Sequence, residues 1–185
     1  ATLTAEPEAQ STALAKKSRF PPLLAPTPKP VLSRTPVTSK KPSPKAANRS
    51  ATASEDGVDA HQRGMLHYRG NTVPKNLREA AKWFRIAANN GHAGAQYNLG
   101  IMAFLGQGMT KDYAKAAKWF RMAGEQDYAP AQYNLGFLYY VGRGVAKDDV
   151  NAYTWIDRAA SLGDKKAQTA RDTLRQTLSP EILAR

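Results

Sequence analysis

From residue 58 onward, apolar side chains recur at spacings of three and four, the interval that gathers them on one face of a helix. Ala80, Trp83 and Ala87 form one such stripe, which returns as Ala116, Trp119 and Ala123 and again as Ala152, Trp155 and Ala159, each time 36 residues on. The pattern predicts first helices near 58–69, 94–105 and 130–141 and second helices near 76–90, 112–125 and 148–162. Each second helix starts on a good N-cap, Asn76, Asp112 or Asp148. Between the helices lie Gly106-Gln107-Gly108 and Gly142-Arg143-Gly144, where glycine tolerates the left-handed backbone that ends a helix and turns the chain. Within the first helices, Ala95-Gln96-Tyr97-Asn98-Leu99-Gly100 recurs as Ala131-Gln132-Tyr133-Asn134-Leu135-Gly136. A glycine inside a helix costs roughly 0.5–1 kcal/mol relative to alanine, so its return at one phase, with Gly64 in the same place, predicts close helix packing. Self-similarity at this period is the signature of a stacked repeat array, and the fold class expected is all-α.

Before residue 58 the composition changes. Nine of the twelve prolines lie in residues 1–57, and residues 16–49 hold nine basic and no acidic residues. Proline blocks helix and sheet, and few large apolar residues are present to offset ordering entropy, so residues 1–57 are expected to be a disordered basic tail or linker. An apolar cluster inside it, Phe20-Pro21-Pro22-Leu23-Leu24, could dock on a partner. The net charge of +12 favours anionic surfaces, such as cell-wall polymer, membrane or nucleic acid. Phe20 is the only aromatic in the basic stretch, which argues against nucleic acid because no stacking platform interleaves the charges. With no cysteine there is neither a disulfide framework nor a thiolate metal site. The chain opens on Ala1, which fits either a removed targeting segment or a truncation.

The spacing A-x-x-x-L-G-x-x-Y-x-x-G-x-G-V-x-x-D followed by A-x-x-W and A-A-x-x-G resembles the Sel-one-like repeat, a branch of the tetratricopeptide superfamily. Residues 131–166 carry it most fully, through Ala131, Leu135, Gly136, Tyr139, Gly142, Gly144, Val145, Asp148, Ala152, Trp155, Ala159, Ala160 and Gly163. Residues 95–130 follow with Ala103 for the tyrosine and Asp127 for the closing glycine. Residues 59–94 depart further, with Arg63 for the leucine and Thr72 for the second loop glycine, departures that suit an end repeat facing water. After residue 166, Ala167-Gln168 restarts the motif but Asp172 stands at the glycine position, so 167–178 is expected to be a lone capping helix with Leu174 and Leu178 turned inward. Ser179-Pro180-Glu181 reads as a further short helix start. The resemblance implies a right-handed α-solenoid of helix-turn-helix repeats whose first helices line a concave groove.

Packed in that way, the groove would carry Tyr97, Ile101 and Phe104 and, one repeat along, Tyr133, Phe137 and Tyr140, with His61, Met65 and Tyr68 at the same phases in repeat one. Exposed aromatics in one groove suit a binding surface. All of these but Met65 make up the expected partner-binding set. A basic stripe, Lys82 and Arg85 recurring as Lys118 and Arg121 and broken by Asp157, reads chiefly as a solvated outer face. His61, His67 and His92 lack the spacing of metal ligands, and Asp148-Asp149 sits at a helix start where acids cap and offset the dipole. No metal, cofactor or catalytic constellation is expected. The function expected is a non-catalytic adaptor or scaffold holding a peptide or partner protein, within a bacterial envelope assembly. The alternative is an anchoring protein whose basic tail grips an anionic surface. An exported, periplasmic location is expected, with cytoplasmic or mitochondrial homes as alternatives.

Overall fold

The computed structural model describes the backbone of residues 44–178 and the side chains of residues 57–178. The expectations for residues 1–43 and for the short turn after Ser179 lie outside the described residues. Seven helices and no strand occur among them: α1 (Pro44–Arg69), α2 (Leu77–Asn89), α3 (Ala93–Leu105), α4 (Tyr113–Gly124), α5 (Ala129–Val141), α6 (Asp149–Ser161) and α7 (Lys165–Thr177). Helices α1, α3 and α5 are the first helices of three repeats, α2, α4 and α6 are the second, and α7 stands alone. The helix expected near 58–69 begins earlier, at Pro44. Proline is tolerated in a helix's first turn, and no proline follows it before Pro74, while Ala46, Ala47, Ala51 and Ala53 favour the helix.

The caps form as the spacing predicts. Asn76 Oδ1 accepts the backbone N–H groups of Arg78 and Glu79, each at 3.1 Å. Asp112 and Asp148 accept those of Lys115 and Asn151, each at 2.9 Å, and these bonds hold both carboxyls below the usual aspartate range. The helix-interior glycines mark contact points. A Cβ on Gly64, Gly100 or Gly136 would stand 2.5, 2.4 or 2.6 Å from Phe84, Phe120 or Ile156, themselves 36 residues apart. Each first helix therefore lies directly on the aromatic or branched side chain of its own second helix.

Repeats join by a second set of periodic contacts. Gln96 Nε2 donates to the Ala88 carbonyl at 3.1 Å, Gln132 to that of Gly124 at 2.8 Å and Gln168 to that of Ala160 at 3.3 Å. Each second helix thus ends near a carbonyl that accepts one bond from its own following turn and a second from the glutamine of the next helix. The second loop glycines make the other join. Gly108 and Gly144 have φ of 67° and 71°, and a Cβ there would lie 2.3 Å from the Leu77 carbonyl oxygen or 2.2 Å from the Tyr113 carbonyl carbon. The loop backbone of one repeat rests on the start of the preceding second helix.

The two ends of the stack are closed differently from its interior. Leu99 packs with Ala80, Ala81 and Phe84 of the preceding repeat. At the equivalent place in repeat one, Arg63 pairs with Asp59 at 3.0 Å and lies 4.9 Å over the Trp83 ring. At the other end, α7 buries Ala167, Ala170 and Leu174 against α6, with Leu178 packed at the edge, and Arg171 pairs with Asp157 at 3.6 Å.

Candidate interaction surface

The residues expected in a concave groove divide into two groups. Tyr97, Ile101, Phe104, Tyr133 and Phe137 are buried, at 0–3% exposure. They are core, not a free binding surface, and this corrects the sequence reading. The cause is the composition of the helices themselves. Every residue from Ala95 to Phe104 and from Ala131 to Leu138 is buried, as expected of a helix that is mostly apolar and carries no charge on any side. Tyr97 packs on Phe120 and Tyr128, with ring centroids 5.9 and 5.2 Å away. Burial pushes both Tyr97 and Tyr133 hydroxyls above the ordinary tyrosine range, so both stay neutral.

Tyr140, Tyr68 and His61 reach the surface, each half-buried. Lys147 Nζ lies 5.9 Å over the Tyr140 ring. Tyr68 donates from Oη to Gln107 Oε1 at 3.0 Å, tying repeat one to the loop of repeat two. His61 stacks on His92 with centroids 4.3 Å apart, and its Nε2 lies 3.2 Å from Asn98 Nδ2. Burial, then the neighbouring His92 and Arg69, lower the His61 pKa to about 4. Burial also lowers that of His92, whose Nδ1 caps α3 by accepting from Ala95 N at 3.1 Å. Both rings are therefore neutral near pH 7, and the pair acts as a packed seam between repeats.

With the stack ends closed and α3 and α5 enclosed, the exposed face belongs to the second helices and loops. Lys82, Arg85 and Ile86 point outward from α2, with Ile86 47% exposed. Lys118 and Arg121 are exposed on α4 with Met122 half-buried beside them. Lys82 pairs with Glu79 at 2.6 Å, and Arg121 donates to the Tyr139 hydroxyl. Arg85 and Lys118 meet no carboxylate among the described residues. On the loop edge, Arg143 donates to Tyr113 Oη at 2.9 Å and covers its ring at 5.1 Å. The basic stripe was visible in the sequence; its prominence was not, because that follows from closure of the groove.

The Sel1 repeat profile matches residues 60–92, 93–128 and 129–164, more than half of the chain. Among solved structures, the chain is similar to a protective antigen present in uropathogenic Escherichia coli strains, with 32% identity and a TM-score of 0.61 over 68% of this chain and 27% of that one. It is also similar to a Sel1 repeat protein from Oxalobacter formigenes, with 35% identity and a TM-score of 0.58 over 69% of this chain and 50% of that one. The chain thus spans about a quarter of the first and half of the second. Cysteine rich protein B of Helicobacter pylori, at 22% identity and a TM-score of 0.53 over 66% of this chain and 94% of that one, shares the fold. No curated protein matches. Built from three such repeats, the chain belongs to the Sel1 repeat family, whose members generally act as protein-interaction scaffolds and are typically not enzymes.

Proposed function

We propose that this chain is a non-catalytic adaptor that holds a partner protein or peptide on the outward surface of its second helices and loops, with Tyr68, His61 and Tyr140 contributing where the first helices emerge. The observation that carries this reading is the closure of the rest. Ion pairs lie at the two stack ends, α1 exposes Val58 and Leu66, and α3 and α5 are enclosed, so the lateral face is the broad charged surface open to a partner. The working location proposed is the bacterial envelope, supported by the bacterial sources of the similar structures. Affinity capture with the full chain and with residues 1–43 deleted tests the adaptor. One partner retained by both is expected, while loss of every partner on deletion would sink it.

A second reading rests on the tail, whose residues 16–49 carry nine basic and no acidic groups. Here the arm grips an anionic surface and the repeats terminate it. Binding of the full chain to anionic vesicles or cell-wall polymer that collapses with added salt, and vanishes on deleting residues 1–43, would favour it, because exposed charges are screened within about 10 Å at 0.1 M salt. Cell fractionation decides the location, and recovery from the cytoplasm would overturn the envelope assignment.

A further inference from the structure

We infer that the outer face of α2 and α4 docks an acidic protein segment that also carries apolar side chains, an inference that rests on the adaptor reading and names its surface and partner chemistry. Three residues define the face. Lys82, Arg85 and Ile86 are neighbours on α2, at spacings of three and four, and their equivalents on α4 are Lys118, Arg121 and Met122. Trp119 of α4 packs against the cluster containing Ala80, Phe84 and Ala87 of α2, which links the two helices, and the two triads occupy the same outward phase on each.

The repetition is selective. Other outward positions on the same helices change character between repeats, Arg78 becoming Ala114 and Glu79 becoming Lys115, while the cation, cation and apolar positions keep theirs. Core packing does not demand this, since the buried stripe consists of Ala80, Ala81, Phe84 and Ala87 on α2 and Ala116, Ala117, Phe120 and Ala123 on α4. In repeat three the triad gives way to Thr154, Asp157 and Arg158, and Asp157 pairs with Arg171 of α7, so the patch ends at α4. Its charge is available, because Arg85 and Lys118 pair with no carboxylate among the described residues. It is also partly apolar. Ile86, next to Arg85 on α2, is 47% exposed. A partner offering only phosphates would leave Ile86 without a contact. The strip's two tryptophans are engaged elsewhere, Trp83 beneath Arg63 and Trp119 against the cluster of Ala80, Phe84 and Ala87, which disfavours a base-stacking role. Carboxylates interleaved with leucine or isoleucine satisfy both features.

The test uses the full chain and three fluorescent probes: a synthetic peptide of mixed Glu and Leu, an all-Glu peptide and a single-stranded oligothymidylate. The Glu/Leu peptide should bind best. Arg85→Glu with Lys118→Glu should weaken it about tenfold or more without shifting Tm, since neither side chain makes an ion pair. Ile86→Ser should weaken the Glu/Leu peptide severalfold and leave the all-Glu peptide unchanged. Equal binding of both peptides, tighter binding of oligothymidylate, or binding indifferent to the charge reversals would overturn the inference. The same reversed variant is used in the partner capture. A partner still held at full strength removes this face while leaving the adaptor standing, whereas no partner captured by either chain removes the adaptor itself.

Discussion

Repeat one and the two repeats after it share a fold but not a neighbourhood. Repeats two and three each rest on a preceding repeat, and at the joining positions they carry Ala95 and Ala131, Gln96 and Gln132, Leu99 and Leu135, Gly108 and Gly144. Repeat one carries Asp59, Ala60, Arg63 and Thr72 at the same places. Each substitution has a counterpart in the contacts. Among the described residues no helix end precedes repeat one to cap, and Ala60 stands where Gln would. No described core lies before it, and Arg63 stands for Leu and covers Trp83. No described helix start lies beneath its loop, and Thr72 stands for glycine. The comparison separates residues that build a repeat, such as Gly64, Gly100 and Gly136, from residues that join two.

Exchanging residues between the two settings should break that distinction. Leu99→Arg places a charge where exposure is 1%, and unfolding at room temperature or a loss of roughly 4 kcal/mol or more is expected in denaturant titration. The reverse exchange, Arg63→Leu, should change stability by about 0.5 kcal/mol or less. Trp155→Ala, in the core between repeats two and three, should cost roughly 3–5 kcal/mol. Trp83→Ala, beneath Arg63 at the open end, should cost about 1–2 kcal/mol by the same titration. Gly144→Ala should cost about 2–3 kcal/mol, from positive φ and the 2.2 Å approach to Tyr113. Thr72→Gly should change Tm by only a degree or two.

A pH-dependent effect concerns the seams. His61 and His92 stack between repeats one and two, where repeats two and three place Tyr97 and Tyr128. Because His61 falls from 6.5 to about 4 on folding, the folded chain binds fewer protons than the unfolded chain between those values. Stability is therefore fully present above pH 6.5 and falls as pH drops towards 4. A loss of about 1–2 kcal/mol is expected, reduced from the full linkage value because the ring is half-exposed. His61→Tyr with His92→Tyr, which copies the second seam, should flatten this part of the pH profile. An unchanged acid slope would assign the loss to carboxylates elsewhere.

Much of the array was legible because repetition and local chemistry agree. The offset of 36, the caps at Asn76, Asp112 and Asp148 and the close approach at Gly100 all follow from residue types at fixed spacing. The groove was misjudged because Tyr97, Ile101 and Phe104 do share a helix face, but so do Leu99, Met102 and Ala103 on the other side. A mostly apolar helix with no charge on any side is the available signal, and it points to enclosure. The early start of α1 escaped because proline content was averaged over residues 1–57, although the last proline before the array is Pro44. The glutamines were seen as part of a motif. That they serve the previous helix end could not be read from spacing, since the partner is a backbone carbonyl with no sequence signature.

Those glutamines set a direction for synthesis. A second helix leaves the ribosome with its end covered only by its own turn, as Gly91 N–H covers the Ala88 carbonyl, and the side chain that adds a second bond there and ties on the next helix is made eight positions later, as Gln96 follows Ala88. Each repeat is thus completed by a neighbour that has not yet been translated, and the growing chain always trails one unfinished edge. Helix α7 ends this succession. It brings Gln168 to Ala160, while on its own far side Asp172 is held by Arg171 and Thr173 by the Thr169 carbonyl, so among the described residues the run of apolar edges stops at α7.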